Sequence, residues 1–359
     1  MLQRKRTDYV SQGGNWNQGR NQKFAGLMII LLLAVMISAC GNNTNAGEKA
    51  NSGKATEPVQ TDSPQSTAQA EEKEQQTIKH AYGETKVPSN PKRIAVIGLE
   101  DITLSLGVPM VYAYGFNGYY LEDQLKELKI PMSGSSDTNQ NLEQILESKP
   151  DLILLQQYFT DQAGYDELSK IAPTLPFTPD DWKTNITEIG KILGLEEKSQ
   201  AVIQAYDDKI NEAKATISSA VGADNKVVFI RPSVKDLQVF FPSFNKLIYE
   251  QLGLVPDTSI AAFQKESSDD WGINTSLEKL PTITADYIFA IYGGSIDTAE
   301  DFAKEEAASA EVEKLSVWKS MPAVKENHVF KVSARHWMSS GPNAEGRVID
   351  DVVAAVTNK

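Results

Sequence analysis

The sequence predicts an α/β protein of two Rossmann-like lobes with parallel sheets, joined by a single long connector helix. Short apolar strands alternate with helices along residues 78–359, a pattern typical of parallel sheets covered on both faces. A Leu-Glu helix followed by an Asp-led strand occurs twice, 135 residues apart. The longest helical periodicity falls between these two copies, where a connector would lie.

The N-terminus reads as a secretion signal. Basic residues precede an apolar run from Ala25 to Ile37, which is too short to span a bilayer. The run ends in Ser38-Ala39-Cys40, the lipoprotein cleavage pattern of bacteria, so residues 1–39 are predicted to be removed and Cys40 to be acylated. The alternative is a plain signal peptide with an incidental cysteine, although Cys40 is the only cysteine in the chain.

Residues 40–77 are predicted to form a disordered, acylated tether because they are polar and contain almost no large apolar side chain. The net charge of the whole chain is -13, which argues against a nucleic-acid partner. Broad acidity still allows an anionic ligand, since local arginines can reverse the sign of the field within a cleft.

The N-terminal lobe is predicted over residues 78–195, from apolar runs bounded by turn residues and from helical periodicity. Its predicted elements are, in order, a strand at 92–97, a helix at 100–106 ended by Gly107, a strand at 110–114, a helix at 119–128, the first Leu-Glu helix from Leu142, a strand at 151–155, a helix at 161–171 and a strand at 174–177.

The connector helix is predicted at residues 196–219. Helical periodicity runs from Trp182 to Ser219 without a proline, with a break near Gly194. An ordinary surface helix within one lobe is the alternative. The C-terminal lobe, residues 220–359, is predicted to contain strands at 226–230 and 237–241, a helix at 244–252, the second Leu-Glu helix from Leu277, a strand at 286–291, helices at 299–309 and 312–319, a strand at 328–332 and a helix at 342–356.

The ligand is expected beyond the carboxyl ends of the strands, where open α/β sheets bind small molecules. Aromatic, polar and cationic side chains collect there, which suits a bulky, polar, partly planar molecule. The candidate ligand-binding residues are Tyr112, Tyr114, Phe116, Asn117, Tyr158, Arg231, Tyr292, Arg335, His336 and Trp337. Each also has an ordinary structural explanation: a tyrosine at the rim of the fold, an arginine in an ion pair, or a hydrogen-bonded histidine.

No catalytic or metal-binding motif stands out. The chain has three histidines and, apart from Cys40, no thiol, so an ordinary zinc or copper site of several His or Cys ligands cannot form. There is no Gly-x-Ser-x-Gly elbow, no phosphate loop and no recognisable acid–base pair. The sequence therefore favours a binding protein without a resident metal or cofactor over an enzyme.

Glu143 and Glu278 occupy equivalent positions near the starts of the two Leu-Glu helices. One acidic residue at the same position of each lobe suits a partner that has two equivalent binding sites.

Taken together, Cys40, the Asn141–Leu154 segment, the connector and the ending Trp-x-x-x-Gly-Pro…Ile-Asp-Asp resemble the iron-siderophore substrate-binding lipoproteins of ABC importers. The resemblance covers roughly residues 78–357. It implies a ferric siderophore as the transported ligand, held in a cleft between the lobes, and an ABC permease dimer contacted through Glu143 and Glu278. It further implies a monomer, lipid-anchored on the extracellular face of a Gram-positive type cell membrane.

Within that family, the stretch from Val228 to Arg231 is most similar to binders of citrate-based carboxylate or mixed hydroxamate siderophores. Phe241-Pro-Ser243 stands where ferrichrome receptors carry Trp-x-Arg, which argues against ferrichrome. Haem, with His336 and Met110 or Met132 as axial ligands, and cobalamin remain alternatives. A ligand-sensing surface co-receptor that feeds no transporter is an alternative of another class.

Overall fold

Two β-sheets, one in each half of the chain, position the rest of the molecule. The structure, a computed structural model, describes residues 76–135, 140–178, 181–222, 225–293 and 299–357. The predicted signal peptide, Cys40 and almost all of the tether lie outside these ranges. No helix within them is long and apolar enough to cross a membrane.

The N-terminal lobe contains a four-stranded parallel sheet and a separate hairpin. Its strands are β1 (Gln76–His80), β2 (Gly83–Val87), β3 (Ile94–Ile97), β4 (Met110–Ala113), β5 (Leu152–Gln156) and β6 (Thr174–Phe177). Its helices are α1 (Glu100–Leu106), α2 (Glu122–Glu127), α3 (Leu142–Glu147), α4 (Gln162–Ile171) and α5 (Trp182–Leu193). The sheet order is β4-β3-β5-β6, and β1 pairs with β2 in antiparallel fashion. The hairpin begins at Gln76, inside the last two residues of the predicted tether.

Both faces of the N-terminal sheet are buried, as its apolar strands predict. Along β3, Ile94 and Val96 belong to one hydrophobic cluster, while Ala95 and Ile97 belong to a second cluster on the other face. The first cluster continues through the connector into the C-terminal lobe. The two lobes therefore share one apolar core on one side of this sheet.

The helix α6 (Glu196–Val221) lies between the two sheets in the chain and has 26 residues. At a rise of 1.5 Å per residue it is about 39 Å long. Gly194, at a φ of 69°, ends α5 in the left-handed conformation that closes many helices. The break falls where the sequence placed it.

The C-terminal lobe contains the second sheet. Its strands are β7 (Lys226–Pro232), β8 (Leu237–Phe240), β9 (Val255–Pro256), β10 (Gly272–Thr275), β11 (Tyr287–Ile291) and β12 (Val329–Val332). Its α-helices are α7 (Ser259–Glu266), α8 (Ala299–Ala310), α9 (Ser316–Lys319), α10 (Pro322–Lys325), α11 (Ala334–Trp337) and α12 (Pro342–Thr357). A π-helical segment covers Leu247–Gln251, where a longer helix was predicted, and a 3₁₀ turn covers Glu311–Lys314.

The predicted fold class of two α/β lobes is confirmed, although the second sheet is parallel only in part. Strands β7, β11 and β12 run parallel, whereas β8 and β10 are antiparallel to their neighbours in the order β10-β8-β7-β11-β12. The short connection from Pro232 to Leu237 explains why β8 is antiparallel to β7, because parallel neighbours need a crossover of a dozen or more residues.

The second Leu-Glu element differs from the first. Leu142–Glu147 is an α-helix with Asn141 as its cap, whereas Leu277–Thr282 is a 3₁₀ helix capped by Ser276. Pro281 lies inside the second element. A proline there would clash with the carbonyl four residues earlier in an α-helix, so the tighter turn forms instead.

A clasp of hydrogen bonds joins the lobes at the start of α12. The buried Asp101 carboxylate on α1 accepts bonds from the backbone N–H groups of Asn343, at 2.8 Å, and Ala344, at 2.9 Å. The Tyr120 hydroxyl donates to the same carboxylate at 2.9 Å. Gly341, at a φ of 143°, lies so close to Asp101 that a Cβ would overlap the carboxyl carbon at 2.4 Å. A negative charge at a helix N-terminus also suits the helix dipole.

A second part of the clasp centres on Glu345, in the first turn of α12. Its carboxylate accepts hydrogen bonds from Trp182 on α5 at 3.0 Å and from Tyr206 on the connector at 2.6 Å. The first turn of α12 is therefore bonded to α1, α5 and α6 together, which holds the lobes in one relative orientation on the side of the connector.

Candidate ligand-binding cleft

A cleft of about 210 Å³ lies between the lobes at the carboxyl ends of their strands. The N-terminal lobe supplies Gly98, Tyr114, Phe116, Tyr119, Tyr120, Gln156, Tyr158 and Phe159, and the C-terminal lobe supplies Arg231, Ala334, Arg335, Met338, Ser339 and Ser340. One wall is aromatic and the other is cationic and polar. Small-molecule sites commonly exceed 300 Å³, so a large ligand would extend from this cavity toward solvent or require the lobes to part.

The aromatic wall is built from two loops. Tyr114 follows β4 and meets Phe159 edge-on, with 4.7 Å between ring centroids. Tyr119 contacts Tyr114 at 6.0 Å, and Tyr158 contacts Phe159 at 4.3 Å. Burial raises the pKa of Tyr119 and of Tyr158. These phenols therefore stay protonated at neutral pH and can donate hydrogen bonds to a ligand.

Two arginines form the opposite wall. Arg231 lies on β7, and its guanidinium donates a hydrogen bond to Gln238 on the neighbouring strand at 3.3 Å. Arg335 lies on α11, 4.3 Å from the Phe302 ring centroid, and reaches across the cleft to Gly118. Gly118 has a φ of 89°, which favours glycine, and a Cβ there would lie 2.2 Å from the Arg335 guanidinium.

The Arg335 guanidinium has a hydrogen-bond donor that is not satisfied within the described residues. Its Nε is buried and has no hydrogen-bond partner among the described residues, and no carboxylate in those ranges lies within salt-bridge distance of it. A buried donor of this kind costs free energy until an acceptor arrives. An anionic ligand in the cleft would supply that acceptor.

The β1–β2 hairpin braces the loop that carries Tyr158. The Tyr82 hydroxyl, at the hairpin turn, donates to the carbonyl of Thr160 at 2.8 Å and lies 3.4 Å from that of Gln157. The Tyr82 ring stacks on Tyr165 with 5.0 Å between centroids. These bonds bracket Tyr158 and fix its position in the cleft.

A buried acid lies directly beneath the aromatic wall. Glu100 is 1% exposed, and its Oε1 accepts backbone hydrogen bonds from Gly98 at 3.0 Å and Tyr114 at 2.8 Å. It thus ties together the ends of β3 and β4, from which the cleft residues continue. Burial raises the pKa of Glu100 to about 8, against the hydrogen bonds, and the Asp101 charge adds to the rise.

Five of the ten predicted ligand-binding residues line this cleft: Tyr114, Phe116, Tyr158, Arg231 and Arg335. Tyr112 and Asn117 do not. Tyr112 is 1% exposed and packs in the N-terminal core, because it precedes Tyr114 by two residues on the strand and lies deeper. Asn117 is exposed to solvent.

Tyr292 is also placed outside the cleft. It is buried in the C-terminal core, and its hydroxyl donates to Glu313 at 2.7 Å. The Lys331 ammonium lies 4.8 Å from the centre of its ring. This local cluster engages the side chain fully, so we do not retain Tyr292 in the proposed site.

His336 and Trp337 do not line the cleft, because both side chains point toward α12. Both rings contact Asp351 on α12, with His336 Nε2 at 2.7 Å and Trp337 Nε1 at 2.8 Å from one oxygen. Burial alone would raise the pKa of Asp351, yet the bonds from these two rings lower it. Trp337 is 4% exposed and packs on Phe229 and Phe289. Because α11 is helical, its side chains point in different directions, and only Arg335 of the Arg-His-Trp run lines the cleft.

None of the three histidines lines the cleft. His80 lies on β1, 2.8 Å from the Thr85 hydroxyl, and His328 Nδ1 lies 3.1 Å from the carbonyl of Asp286. A haem in this cleft would thus have no axial histidine. Within the described ranges, no group of three His, Cys, Asp or Glu residues is arranged to hold a metal ion.

The acidic pair Glu100 and Asp101 was not predicted to support the site. These residues begin α1, separated by two residues from the fully apolar strand β3, and acids are unusual in so apolar a stretch. Phe159, Ser339 and Ser340 were missed as well, and no sequence pattern points to them. Phe159 lies on the loop after β5, and Ser339 and Ser340 lie on the segment after α11. The paths of these two segments bring them to the cleft.

Glu143 and Glu278 are both exposed, as a docking role requires. Glu143 stands in the first turn of α3 and Glu278 in the first turn of the 3₁₀ element. Their function stays a prediction.

Residues 112–335 match the family model described as periplasmic binding protein. The chain belongs to this family. It is 30% identical over 323 residues to the iron(3+)-hydroxamate-binding protein FhuD of Bacillus subtilis, covering 87% of this chain and 90% of that protein. The same fold occurs in solved structures of similar proteins.

Two such structures have a ligand named in their description. Staphylococcus aureus SirA complexed with staphyloferrin B has a TM-score of 0.61 and 27% identity, covering 78% of this chain and 98% of that one. The petrobactin-binding protein YclQ of Bacillus subtilis has a TM-score of 0.63 and 26% identity, covering 80% and 100%. The names of these relatives span a hydroxamate, staphyloferrin B and petrobactin, so they do not select one ligand.

Proposed function

We propose that this chain is an extracellular solute-binding lipoprotein that captures a ferric siderophore and delivers it to an ABC importer permease. The observation that carries the proposal is the cleft between two family-typical lobes, with an aromatic wall facing Arg231 and Arg335. A large anionic chelate with planar or apolar parts fits both walls. The names of the relatives support the same class of cargo.

Ferric ion would arrive already wrapped in the oxygens of its chelator. The protein then needs shape and charge complementarity and supplies no metal ligand of its own. Arginine donors suit carboxylate and hydroxamate oxygens because the planar guanidinium can bind two oxygens at once. On this basis we propose a citrate-based carboxylate or mixed hydroxamate siderophore as the ligand. No enzymatic step is needed in such a role.

The delivery step rests on the two exposed glutamates. We propose that Glu143 and Glu278 contact basic residues on the two permease subunits while the lipid on Cys40 holds the protein at the membrane. In this arrangement residues 1–39 are the signal peptide and 40–77 the tether. The lobes at 78–195 and 220–359 close modestly about the connector at 196–219, as a monomer.

The ligand is tested by native mass spectrometry of the protein purified from iron-starved cells, followed by titration with ferric citrate-type and hydroxamate chelates. Proposed binding predicts an adduct with the mass of a ferric chelate and saturable quenching of tryptophan fluorescence. Haemin is the comparison ligand, and it should give no shifted Soret band. A protein that binds none of the ferric chelates, or that binds haemin instead, would refute the proposed cargo.

Delivery is tested separately by uptake of the radiolabelled ferric chelate. Glu143→Ala and Glu278→Ala should each slow uptake while leaving the dissociation constant unchanged. Glu127→Ala, at an exposed acid on α2 outside the proposed docking elements, is a comparison for general loss of charge. Normal uptake by both glutamate variants would remove their docking role.

A further inference from the structure

The α3 face is defined here as the exposed side chains Leu142, Glu143, Leu146 and Glu147. In this helix only Ile145 is buried. Leu142 is 37% exposed and Leu146 is 59% exposed, and they are two of the five large hydrophobic side chains classed as exposed in the described residues. Residues four apart on a helix are neighbours, so the leucines form one row and the glutamates form another beside it.

This arrangement is unfavourable in the isolated chain. Like charges at this spacing repel one another on a helix, and neither glutamate has a salt-bridge partner within the described ranges. The apolar surface of the exposed leucines stays in contact with water, so the free energy of burying it is not gained. A partner carrying cationic and apolar side chains would relieve both costs at once.

A groove continues from the leucine row. It has a volume of about 620 Å³ and lies between α3 and the start of α4. Leu142, Ala163 and Tyr158, which also lines the ligand cleft, give it apolar surface, while Asp161 and Glu167 add carboxylates. The charge and the apolar character of the α3 face therefore extend into a concave surface that could receive a loop.

The equivalent element of the C-terminal lobe lacks these features. There Leu277, the counterpart of Leu142, is half-buried, and Pro281 and Thr282 stand in place of Leu146 and Glu147. Lys279, next to Glu278, forms a salt bridge with Glu266 at 2.9 Å. In this element Glu278 is the exposed acidic group available to a partner. The two docking elements therefore differ, because only α3 combines acidic and apolar side chains.

We infer that the α3 face and its groove form an apolar and acidic docking surface for a transmembrane subunit of the importer. The matching segment of that subunit carries basic and apolar side chains. The C-terminal lobe docks through the charge of Glu278 without an apolar contact. This inference rests on the proposed delivery function and adds that the two sockets on the importer differ in chemistry.

The test uses the full-length lipoprotein and the importer reconstituted in nanodiscs. The double variant Leu142→Ala with Leu146→Ala should bind the importer roughly tenfold more weakly, since two apolar anchors are lost. Its affinity for the ferric chelate and its melting temperature should stay as in the wild type, because alanine favours the helix and both sites are exposed. Leu128→Ala is the matched control, as Leu128 is 60% exposed at the end of α2.

The possible outcomes separate the inference from the function beneath it. If Glu143→Ala weakens importer binding and the double leucine variant does not, the apolar surface is refuted and docking stands. If neither change has an effect, the docking function fails as well. An equal loss in Leu128→Ala would also overturn the inference. So would a wild-type dimer that the leucine changes convert to a monomer, because the face would then join two copies of this chain.

Discussion

Replacing Glu100 by glutamine should stabilise the protein at alkaline pH. Glu100 is buried beneath the cleft, and burial raises its pKa from 4.5 to about 8. Glutamine keeps a side-chain oxygen that can accept the backbone bonds from Gly98 and Tyr114, yet it cannot ionise. The comparison therefore isolates the cost of the buried negative charge.

The sign follows from proton binding. Between pH 4.5 and about 8 the folded protein keeps the Glu100 proton and the unfolded chain has lost it. The free energy of unfolding thus falls as pH rises through this window, by up to 1.36 kcal/mol per pH unit. Over the full window the loss amounts to about 5 kcal/mol. Glu100→Gln should match the wild type near pH 5 and exceed its stability by several kcal/mol at pH 9.

Urea denaturation followed by tryptophan fluorescence at pH 5, 7 and 9 measures this difference. Glu122→Gln is the matched control. Burial alone would raise the pKa of Glu122, but the hydrogen bonds from Lys126 and Gly118 lower it overall. The ionised form of Glu122 therefore stabilises the fold at every pH above the pKa that this residue has in the unfolded chain. Its effect should not grow between pH 5 and 9. A stability gain in Glu100→Gln that is the same at all three pH values would refute the reasoning.

Four further substitutions probe the clasp, the cationic wall and the hairpin. Asp101→Asn should lower the free energy of unfolding by roughly 2–4 kcal/mol, measured in urea, because it removes the charge that holds the start of α12. Arg231→Ala and Arg335→Ala should each weaken binding of the ferric chelate by roughly 1.5–3 kcal/mol, measured by fluorescence titration. Tyr82→Phe should weaken binding several-fold, and much less so in a Tyr158→Ala background, since it acts by positioning Tyr158.

Each of these has a clear contrary result. Unchanged stability in Asp101→Asn would mean that the clasp adds nothing to the fold. Arg93→Ala, at an exposed arginine of the N-terminal lobe, is the control for the cleft arginines, and an equal loss there would point to long-range charge. Additive effects of the Tyr82 and Tyr158 changes would show that the hairpin does not act through the cleft loop.

Much of the fold could be predicted because it depends on local sequence. The helix at Glu100–Leu106 and the strand at Thr174–Phe177 were placed at their observed bounds, since a glycine or a proline ends each apolar pattern nearby. The hairpin from Gln76 was not predicted. Its two strands are short and largely exposed, so hydrophobic periodicity gives almost no indication of them.

The candidate site was predicted in part, because strand ends are readable and side-chain directions are not. Tyr114, Tyr158 and Arg231 follow or end strands, and the rule for α/β sheets places them at the cleft. Trp337 and Arg335 are near neighbours in sequence, but the turn of α11 places the Trp337 ring in the core and the Arg335 side chain in the cleft.

The alternation of most strands and helices along the chain, the repeated Leu-Glu element and the long helix between its copies were determined by the sequence alone, because periodicity, caps and prolines act over a few residues. The tertiary structure decided the rest. Asp101 meets the start of α12 only after 240 intervening residues have folded, and Arg335 faces the aromatic wall only once the lobes are joined. Such contacts depend on the packing of distant segments, which no local pattern encodes.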